Sequence, residues 1–350
     1  MNTHEIDRRT FLKTMALVAA SSALAPMATE ARSPRKAPLD GFPDLKYNAD
    51  GKFRIVQFTD THYIAGDERS PRALNNVREM LDAEKPDLVI HTGDIIFGSP
   101  AQQSFKEILS PMGERQIPWA VALGNHDGQF GMSRKEVYDY IRTLPYNINT
   151  AQKPGVTGDS NDVITISSPK GKVDRVLYLL DTGDRYYHEG KDMWGSLVMN
   201  QVDWYQAQAQ TLSMANGGKR VPALMFQHIP VVEFTTALAD KANHVMVGNQ
   251  TEAVCSPEYN TGVFERIQQP GDVEAMICGH DHDNDYNMRW HGFNFIYGRF
   301  SGCDTVYNNL KPNGCRVIEL TQGKPGFHTY IRHFGGHTEQ EVFVPSDFQG

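Results

Sequence analysis

The stretch Ala275-Met276-Ile277-Cys278-Gly279-His280-Asp281-His282 decides the reading of this chain. A short apolar run of strand length ends in a glycine and then two histidines one residue apart. Two imidazoles placed this way mark a site rather than a packed core. Four other apolar runs end alike: Phe58-Thr59-Asp60-Thr61-His62, Ile90-His91-Thr92-Gly93-Asp94, Leu123-Gly124-Asn125-His126-Asp127 and Phe226-Gln227-His228. In open α/β sheets ligands bind beyond the carboxyl ends of the strands, so the five endings are expected to converge on one edge.

Working outward, apolar runs at 53–58, 88–90, 119–123, 176–180, 223–226 and 275–278 read as strands. Between them, 71–84, 101–115, 133–143 and 199–214 carry helix-like spacing. This alternation predicts an α/β fold with buried central strands. Further along, 293–299, 316–321 and 327–333 read as consecutive strands of a second, more antiparallel sheet. The expected architecture is a layered αββα sandwich, two mixed sheets flanked by helices, with the site at strand C-terminal ends.

The residue types at those ends set the chemistry. Carboxylates, imidazoles and one amide, without sulfur, suit divalent or trivalent Zn, Mn or Fe. Asp60, His62 and His282 are expected to hold one ion, and Asn125, His228 and His280 the other, with Asp94 bridging. Two ions roughly 3.5–4 Å apart lower the pKa of a shared water and neutralise charge on the attacking and leaving oxygens. Glycines at 93, 124 and 279 allow close backbone approach in so crowded a place.

In order, Asp60-x-His62, Gly93-Asp94, Gly124-Asn125-His126-Asp127, His228 and Gly279-His280-x-His282 resemble the five-block signature of calcineurin-like metallophosphoesterases. The resemblance spans 53 to about 282 and extends into Tyr297-Gly298-Arg299. His228-Ile229-Pro230-x-x-Glu233, Asn260-Thr261-Gly262-Val263-Phe264 and Gly279 to Asp285 look like a branch related to purple acid phosphatases. That likeness implies phosphomonoester hydrolysis by a metal-bound hydroxide, with diesterase or nucleotide pyrophosphatase activity as the alternative. A reading from another class is a protein that binds phosphorylated ligands without hydrolysing them. Phe97 stands where a purple enzyme has a tyrosinate ligand, which implies a colourless site, and where phosphoprotein phosphatases carry an Asp that orients the histidine of the Asn-His block. The partner that orients His126 is therefore open.

Alongside the ligands, His126 is the candidate general acid, since histidine gives and takes protons near neutral pH; the alternative is a structural histidine bonded to backbone. Asp127, Asp281 and Asp283 read as loop-capping residues, and His91 as a strand residue with a satisfied hydrogen bond. Arg299 is a candidate phosphate clamp, with packing as the alternative. Arg185-Tyr186-Tyr187-His188 with Trp194 is either an aromatic wall for the leaving group or an ordinary surface loop. His188 and His244 are minor candidates for substrate contact.

Composition bounds the partners. The 350 residues carry 34 basic and 42 acidic side chains, a net charge of -8, and 40% are hydrophobic. One large domain is expected, a platform for nucleic acid is not, and the substrate is expected to be a small phosphorylated molecule. At the start, Asp7-Arg8-Arg9-Thr10-Phe11-Leu12-Lys13 and the apolar run after it resemble a twin-arginine export signal over 1–31, cleaved after Ala25, Ala28 or Ala31. That implies passage through the twin-arginine machinery, a periplasmic or secreted product and no stable membrane insertion once the signal is removed. The remaining divisions are a leader over 32–50, the catalytic domain over 51–335 and a tail over 336–350. Cys255, Cys278, Cys303 and Cys315 contain no CxxC pair; Cys303 with Cys315 is the first choice for a disulfide, and buried free thiols are the alternative.

Overall fold

The computed structural model describes residues 42–348, so the export-signal reading of 1–31 and the first part of the leader lie outside the described residues. A six-stranded sheet is built from β2 (Lys52–Phe58), β3 (Leu88–His91), β4 (Trp119–Val121), β14 (Gly314–Thr321), β15 (Phe327–His333) and β16 (Thr338–Val344), in the order β16-β15-β14-β2-β3-β4. An eight-stranded sheet holds β1 (Asp44–Lys46), β5 (Asp162–Ser167), β6 (Val173–Leu179), β9 (Ala223–Phe226), β10 (His244–Val247), β11 (Val273–Cys278), β12 (Asn287–Trp290) and β13 (Phe293–Tyr297). Its order is β1-β5-β6-β9-β11-β13-β12-β10. A separate hairpin pairs β7 (Arg185–His188) with β8 (Lys191–Trp194).

Period-two alternation sorts each strand between two cores. On β2, Phe53 and Ile55 point to the space between the sheets, while Val56 and Phe58 point to the helices. Leu88, Ile90 and Ala120 join the inter-sheet core and meet Leu177, Leu224, Phe226, Ile277 and Ile296 of the other sheet. Each such fully buried large side chain contributes about 1.5–3 kcal/mol. The outer face of the smaller sheet is covered by α1 (Pro71–Glu84), α2 (Ala101–Glu114) and α3 (Arg134–Ile141). Helix α1 starts with Pro71, whose missing N–H costs nothing in a first turn, and buries Ala73, Val77, Met80 and Leu81 at helical spacing. It ends at Lys85, left-handed at φ 46°, whose N–H donates to Leu81 O. Helix α3 begins with a reciprocal cap between Ser133 and Glu136.

The outer face of the larger sheet is covered by α4 (Met199–Ala215), α5 (Glu233–Ala239) and α6 (Val263–Gln268). Tyr205 packs edge-on to Tyr178 at 4.8 Å, Phe234 to Phe295 at 4.9 Å and Phe264 to Phe293 at 5.1 Å. The result is the expected αββα sandwich. No helix among the described residues is long and apolar enough to cross a membrane.

Several expectations are corrected. The leader contains β1, which pairs in parallel with β5, and the tail contains β16, which pairs with β15, so both stretches are strands of the fold. The strand at 293–297 joins β11 in the larger sheet, whereas 314–321 and 327–333 lie in the smaller one. All four cysteines are free. Cys303 and Cys315 sit fully buried in the apolar cluster under the helices, and Cys303 Sγ lies 3.5 Å from Thr305 Oγ1.

Candidate metal centre

Five strands deliver the site from two sheets rather than one. β2, β3 and β4 run parallel in the smaller sheet and β9 and β11 run parallel in the larger, and their C-terminal ends meet. Backbone bonds continue the ladders past the strands: Asp60 N–H donates to Gly93 O and His62 N–H to Asp94 O, both at 3.0 Å, and Gly279 N–H donates to His228 O at 3.1 Å. Gln57, fully buried, links the sheets beneath the site by donating to Thr92 Oγ1 at 2.8 Å and to Cys278 O at 3.1 Å. Close approach explains the glycines. A Cβ at Gly124 would collide with the Asp94 carboxylate, and one at Gly279 with Thr59 Oγ1 and Asp60 Oδ2.

All seven expected ligands come together and all are buried. Two groups form, Asp60 with His62 and His282, and Asp94 with His228 and His280, each with its ligand atoms within 4.8 Å of one another. Asn125 Oδ1 lies 3.0 Å from His228 Nε2 and joins the second group. Asp94 Oδ2 lies 3.4 Å from His228 Nε2 and 3.7 Å from His62 Nε2, between the two.

The donor set fits ions, as the anchoring of each ligand shows. Asp60 Oδ2 accepts from Thr59 Oγ1 at 2.6 Å and His280 N–H at 3.0 Å, while its Oδ1 is buried without a protein partner. Asp94 Oδ1 accepts from His126 N–H at 2.8 Å, leaving Oδ2 for the nitrogens. His228 Nδ1 lies 2.6 Å from Thr92 O and His282 Nδ1 lies 2.9 Å from Tyr307 O. A carbonyl only accepts, so both Nδ1 atoms donate and each ring turns its Nε2 inward as the nitrogen available to an ion. There His282 Nε2 meets His62 Nε2 at 3.0 Å, and His228 Nε2 meets the amide oxygen of Asn125. Inward-facing imidazole nitrogens and carboxylate and amide oxygens crowded in a buried space are a donor set that cations satisfy.

Electrostatics of the bare site follow. Burial pushes the Asp60 carboxyl up, but the contact with His62 and the charges of His228 and His282 outweigh it and hold the group below the usual carboxylate range. Burial opposes a proton on His228, yet Asp94 overrides it and raises the ring to about 9. Burial and the neighbouring His228 push His280 down to about 3, and burial and His62 push His282 down to about 4.

The surrounding residues separate into supports and walls. Asp127 accepts from the backbone N–H groups of Gly124, Ile95 and Asp94 at 2.7, 2.8 and 3.1 Å and so staples β3's end to β4's. Asp281 accepts from Cys255 N–H at 3.1 Å and Asp283 from Asn309 N–H at 2.6 Å, the loop-capping roles expected. His91 pairs with Thr61 Oγ1 at 3.0 Å. Arg299 is corrected: it is 1% exposed, donates to the carbonyls of Leu310 and Pro312 and pairs with Asp285, so its guanidinium is consumed in packing and cannot clamp a phosphate. His244 is bonded to Ala237 O on the edge strand β10; the side chain of His188 lies outside what is described. Trp194, from the aromatic hairpin, packs edge-on against His280 at 4.4 Å, with Arg185 stacked 4.2 Å over its ring. Tyr307 stacks on His282 at 4.4 Å.

His126 is part-exposed at the same centre, with Nε2 3.9 Å from Asp94 Oδ2. Its Nδ1 lies 2.7 Å from Gln129 Oε1. Sequence reasoning missed Gln57, Gln129, Thr92 and Tyr307. A trace of Gln129 was present: it closes the turn His126-Asp127-Gly128-Gln129, a spacing that returns the fourth side chain to the first.

A family model described as calcineurin-like phosphoesterase matches residues 53–284. Probable inactive purple acid phosphatase 14 of Arabidopsis thaliana is 32% identical over 299 residues, 75% of this chain and 73% of that protein. Phosphatase DCR2 of Saccharomyces cerevisiae is 28% identical over 347 residues, 89% of this chain and 58% of that protein. Among solved structures, a dimetal phosphatase from Danio rerio shares the fold, with a TM-score of 0.53 at 15% identity over 83% of this chain and 98% of that one. The chain belongs to the calcineurin-like phosphoesterase family.

Proposed function

We propose that this chain is a two-ion phosphomonoesterase acting on small phosphorylated substrates, exported through the twin-arginine pathway to the periplasm or exterior. The observation that carries the reading is Asp94, whose free Oδ2 lies between the two ligand groups, 3.7 Å from His62 Nε2 and 3.4 Å from His228 Nε2. When bound, paired Zn, Mn or Fe ions activate water and neutralise the phosphoryl oxygens. Phe97 packs on His62 and His126 at 5.1 and 4.8 Å, which leaves a colourless site rather than a tyrosinate one.

The chain's own residues supply the rest. Asp60 and Asp94, each anchored through one oxygen, hold charge in place without reorganising. His126 faces the leaving oxygen. A water oxygen forms the new bond to phosphorus while the ester P–O bond breaks, the leaving oxygen takes the Nε2 proton of His126, and the water's own proton passes to solvent. Trp194 and Tyr307 wall the two ends. A diester or nucleotide pyrophosphate uses the same groups and differs only in the space for its second ester arm.

The name of the Arabidopsis relative favours a second reading, metal-dependent binding of phosphorylated ligands without turnover. Against it, all seven ligand positions hold competent residues. Metal analysis of the exported protein and rates on aryl phosphate and bis-aryl phosphate decide. Asn125→Ala and His280→Ala should fold, judged by circular dichroism, and lose turnover. Full activity in either variant removes the proposal, preference for the diester reverses the substrate order, and tight product binding with no turnover under any metal establishes the second reading.

A further inference from the structure

The residue that positions His126 is not an acid. Gln129 Nε2 donates to Asn125 O at 3.0 Å and faces both carboxylate oxygens of Asp184 at 3.4 Å. All of these partners only accept, so they fix the amide nitrogen on that side and leave Oε1 toward the imidazole. Oε1 lies 2.7 Å from His126 Nδ1. An amide oxygen cannot donate, so Nδ1 must carry the hydrogen. We propose that Gln129 is the positioning residue of this site, keeping a hydrogen on His126 Nδ1 in both the acid and the neutral ring so that Nε2 is the nitrogen turned to the ion centre and exchanging the proton. The inference rests on the phosphatase reading for its catalytic meaning and on geometry alone for the ring state.

Four further contacts make the arrangement rigid. Phe97 stands edge-on to the His126 ring at 4.8 Å and His62 at 5.6 Å, which limits rotation about the Cβ–Cγ bond. The turn that returns Gln129 to His126 is closed by Gln129 N–H donating to His126 O at 3.1 Å. Asp184 is held at the base of the aromatic hairpin, where its carbonyl accepts from Gly195 N–H at 3.0 Å. The hairpin therefore reaches the centre by two routes, through Asp184 to Gln129 and through Trp194 to His280. In the step above His126 acts as the imidazolium: Nδ1–H stays on Gln129 Oε1, the Nε2–H bond breaks, and the ring is left as the neutral Nδ1–H form. A neutral amide at Nδ1 orients the ring without adding a charge beside Asp94.

The test reads the ring directly and the reaction separately. Ring-nitrogen NMR of zinc-loaded, 15N-histidine-labelled protein, assigned with His126→Ala, should show the Nδ1–H form at His126 in the wild type, loss of that form in Gln129→Ala, and its retention in Gln129→Glu. On the activity side, kcat of Gln129→Ala should fall about tenfold further on an alkyl phosphate than on nitrophenyl phosphate, whose good leaving group needs the proton least. KM and metal content should hold, and His126→Ala with Gln129→Ala should be no slower than His126→Ala alone. Gln129 is exposed, so its replacement leaves the core intact. A neutral wild-type ring protonated at Nε2 instead of Nδ1, or an unchanged ring in Gln129→Ala, overturns the proposal even if turnover is normal. The expected ring states in a two-ion protein that hydrolyses neither ester uphold Gln129 and sink the phosphatase reading instead.

Discussion

Replacing Gln57 by Leu should weaken the ion centre while leaving the metal-free protein about as stable as before. Gln57 makes two neutral hydrogen bonds, to Thr92 Oγ1 and Cys278 O, each worth about 0.5–1.5 kcal/mol net. Neither partner is orphaned by the change, because Cys278 O also accepts from Gly298 N–H at 2.8 Å and Thr92 Oγ1 still reaches Phe58 O at 3.4 Å. The substitution also removes Gln57 Oε1, a buried acceptor without a partner, whose desolvation costs about 1–3 kcal/mol. Loss and gain cancel to within about 1 kcal/mol. The ion site feels the change differently. Thr92 O holds the His228 ring and Cys278 leads into Gly279 and His280, so the change removes a link between the two ligand-bearing sheet ends. Removing an outer partner of this kind costs about ten- to a hundredfold in affinity, and the low end applies because Gln57 acts through intermediates. Urea unfolding in chelator measures the first quantity, and zinc competition against a chromophoric chelator measures the second. A variant destabilised by more than about 3 kcal/mol with unchanged zinc affinity would refute the assignment of Gln57 to the site rather than to the core.

Three more outcomes are expected. The Glu319 carboxyl is held down to about 2 by its hydrogen bond to His328, helped by Arg54, and the same bond raises His328 above its ordinary 6.5. Glu319 therefore stabilises above about pH 4.5 and loses that contribution as pH falls toward 2, while His328 contributes below 6.5 and loses it as pH rises through its folded value. Thermal midpoints across pH should vary less in Glu319→Gln than in the wild type; parallel curves would show the pair to be inert. Denatured, unreduced protein should titrate four thiols with a disulfide reagent, since all the cysteines are free; two thiols or none would restore the Cys303–Cys315 bridge. Trp194→Ala should raise KM for an aryl phosphate by about tenfold more than for glycerol phosphate, the scale of one aromatic contact; equal effects would remove Trp194 from the leaving-group wall.

The ligands were legible because strand ends are legible: an apolar run that stops at Asp, Asn or His, in three of the five endings after a glycine, carries its own punctuation. Helices were nearly as plain, since α1, α2, α3 and α4 each bury one stripe at helical spacing. What stayed hidden depends on pairing across long sequence distances. β16 reads as a polar tail because its exposure alternates, with Val342 and Val344 buried and Phe343 exposed, and only its pairing with β15 makes it a strand. β13 looks like its successors yet belongs to the other sheet, because parallel pairing with β11 leaves no local mark. Arg299 looks free in sequence for the same reason, its acceptor Asp285 being a buried carboxylate that nothing nearby in the chain announces. Gln57 and Gln129 carry no metal-ligand chemistry and so drew no notice, although they place the residues that do.

Ligand geometry also accounts for part of the backbone strain in the fold. Asp60, His62, Asp94 and His280 all have left-handed backbones, at φ 54°, 44°, 52° and 80°. Such conformations cost about 1–3 kcal/mol each in residues with a Cβ and persist only where the surroundings over-determine them. Here the surroundings are the ladder bonds that continue past the strand ends and the inter-sheet core beneath them. These left-handed residues lie two to four positions past the strand ends, where they turn the chain, and Asp60 and His62, two residues apart, fall into one ligand group with His282. The bare site adds a second cost, since two buried carboxylates and four imidazoles are crowded into it with a proton drawn onto His228. The ion-free state bears both costs. Ion binding relieves the electrostatic part and adds its own linkage, about 2.7 kcal/mol per site at a free-ion concentration one hundred times Kd. The centre is therefore held in a shape that the apo chain tolerates and the loaded chain favours, and the stiffness of the two-sheet scaffold is what keeps it there.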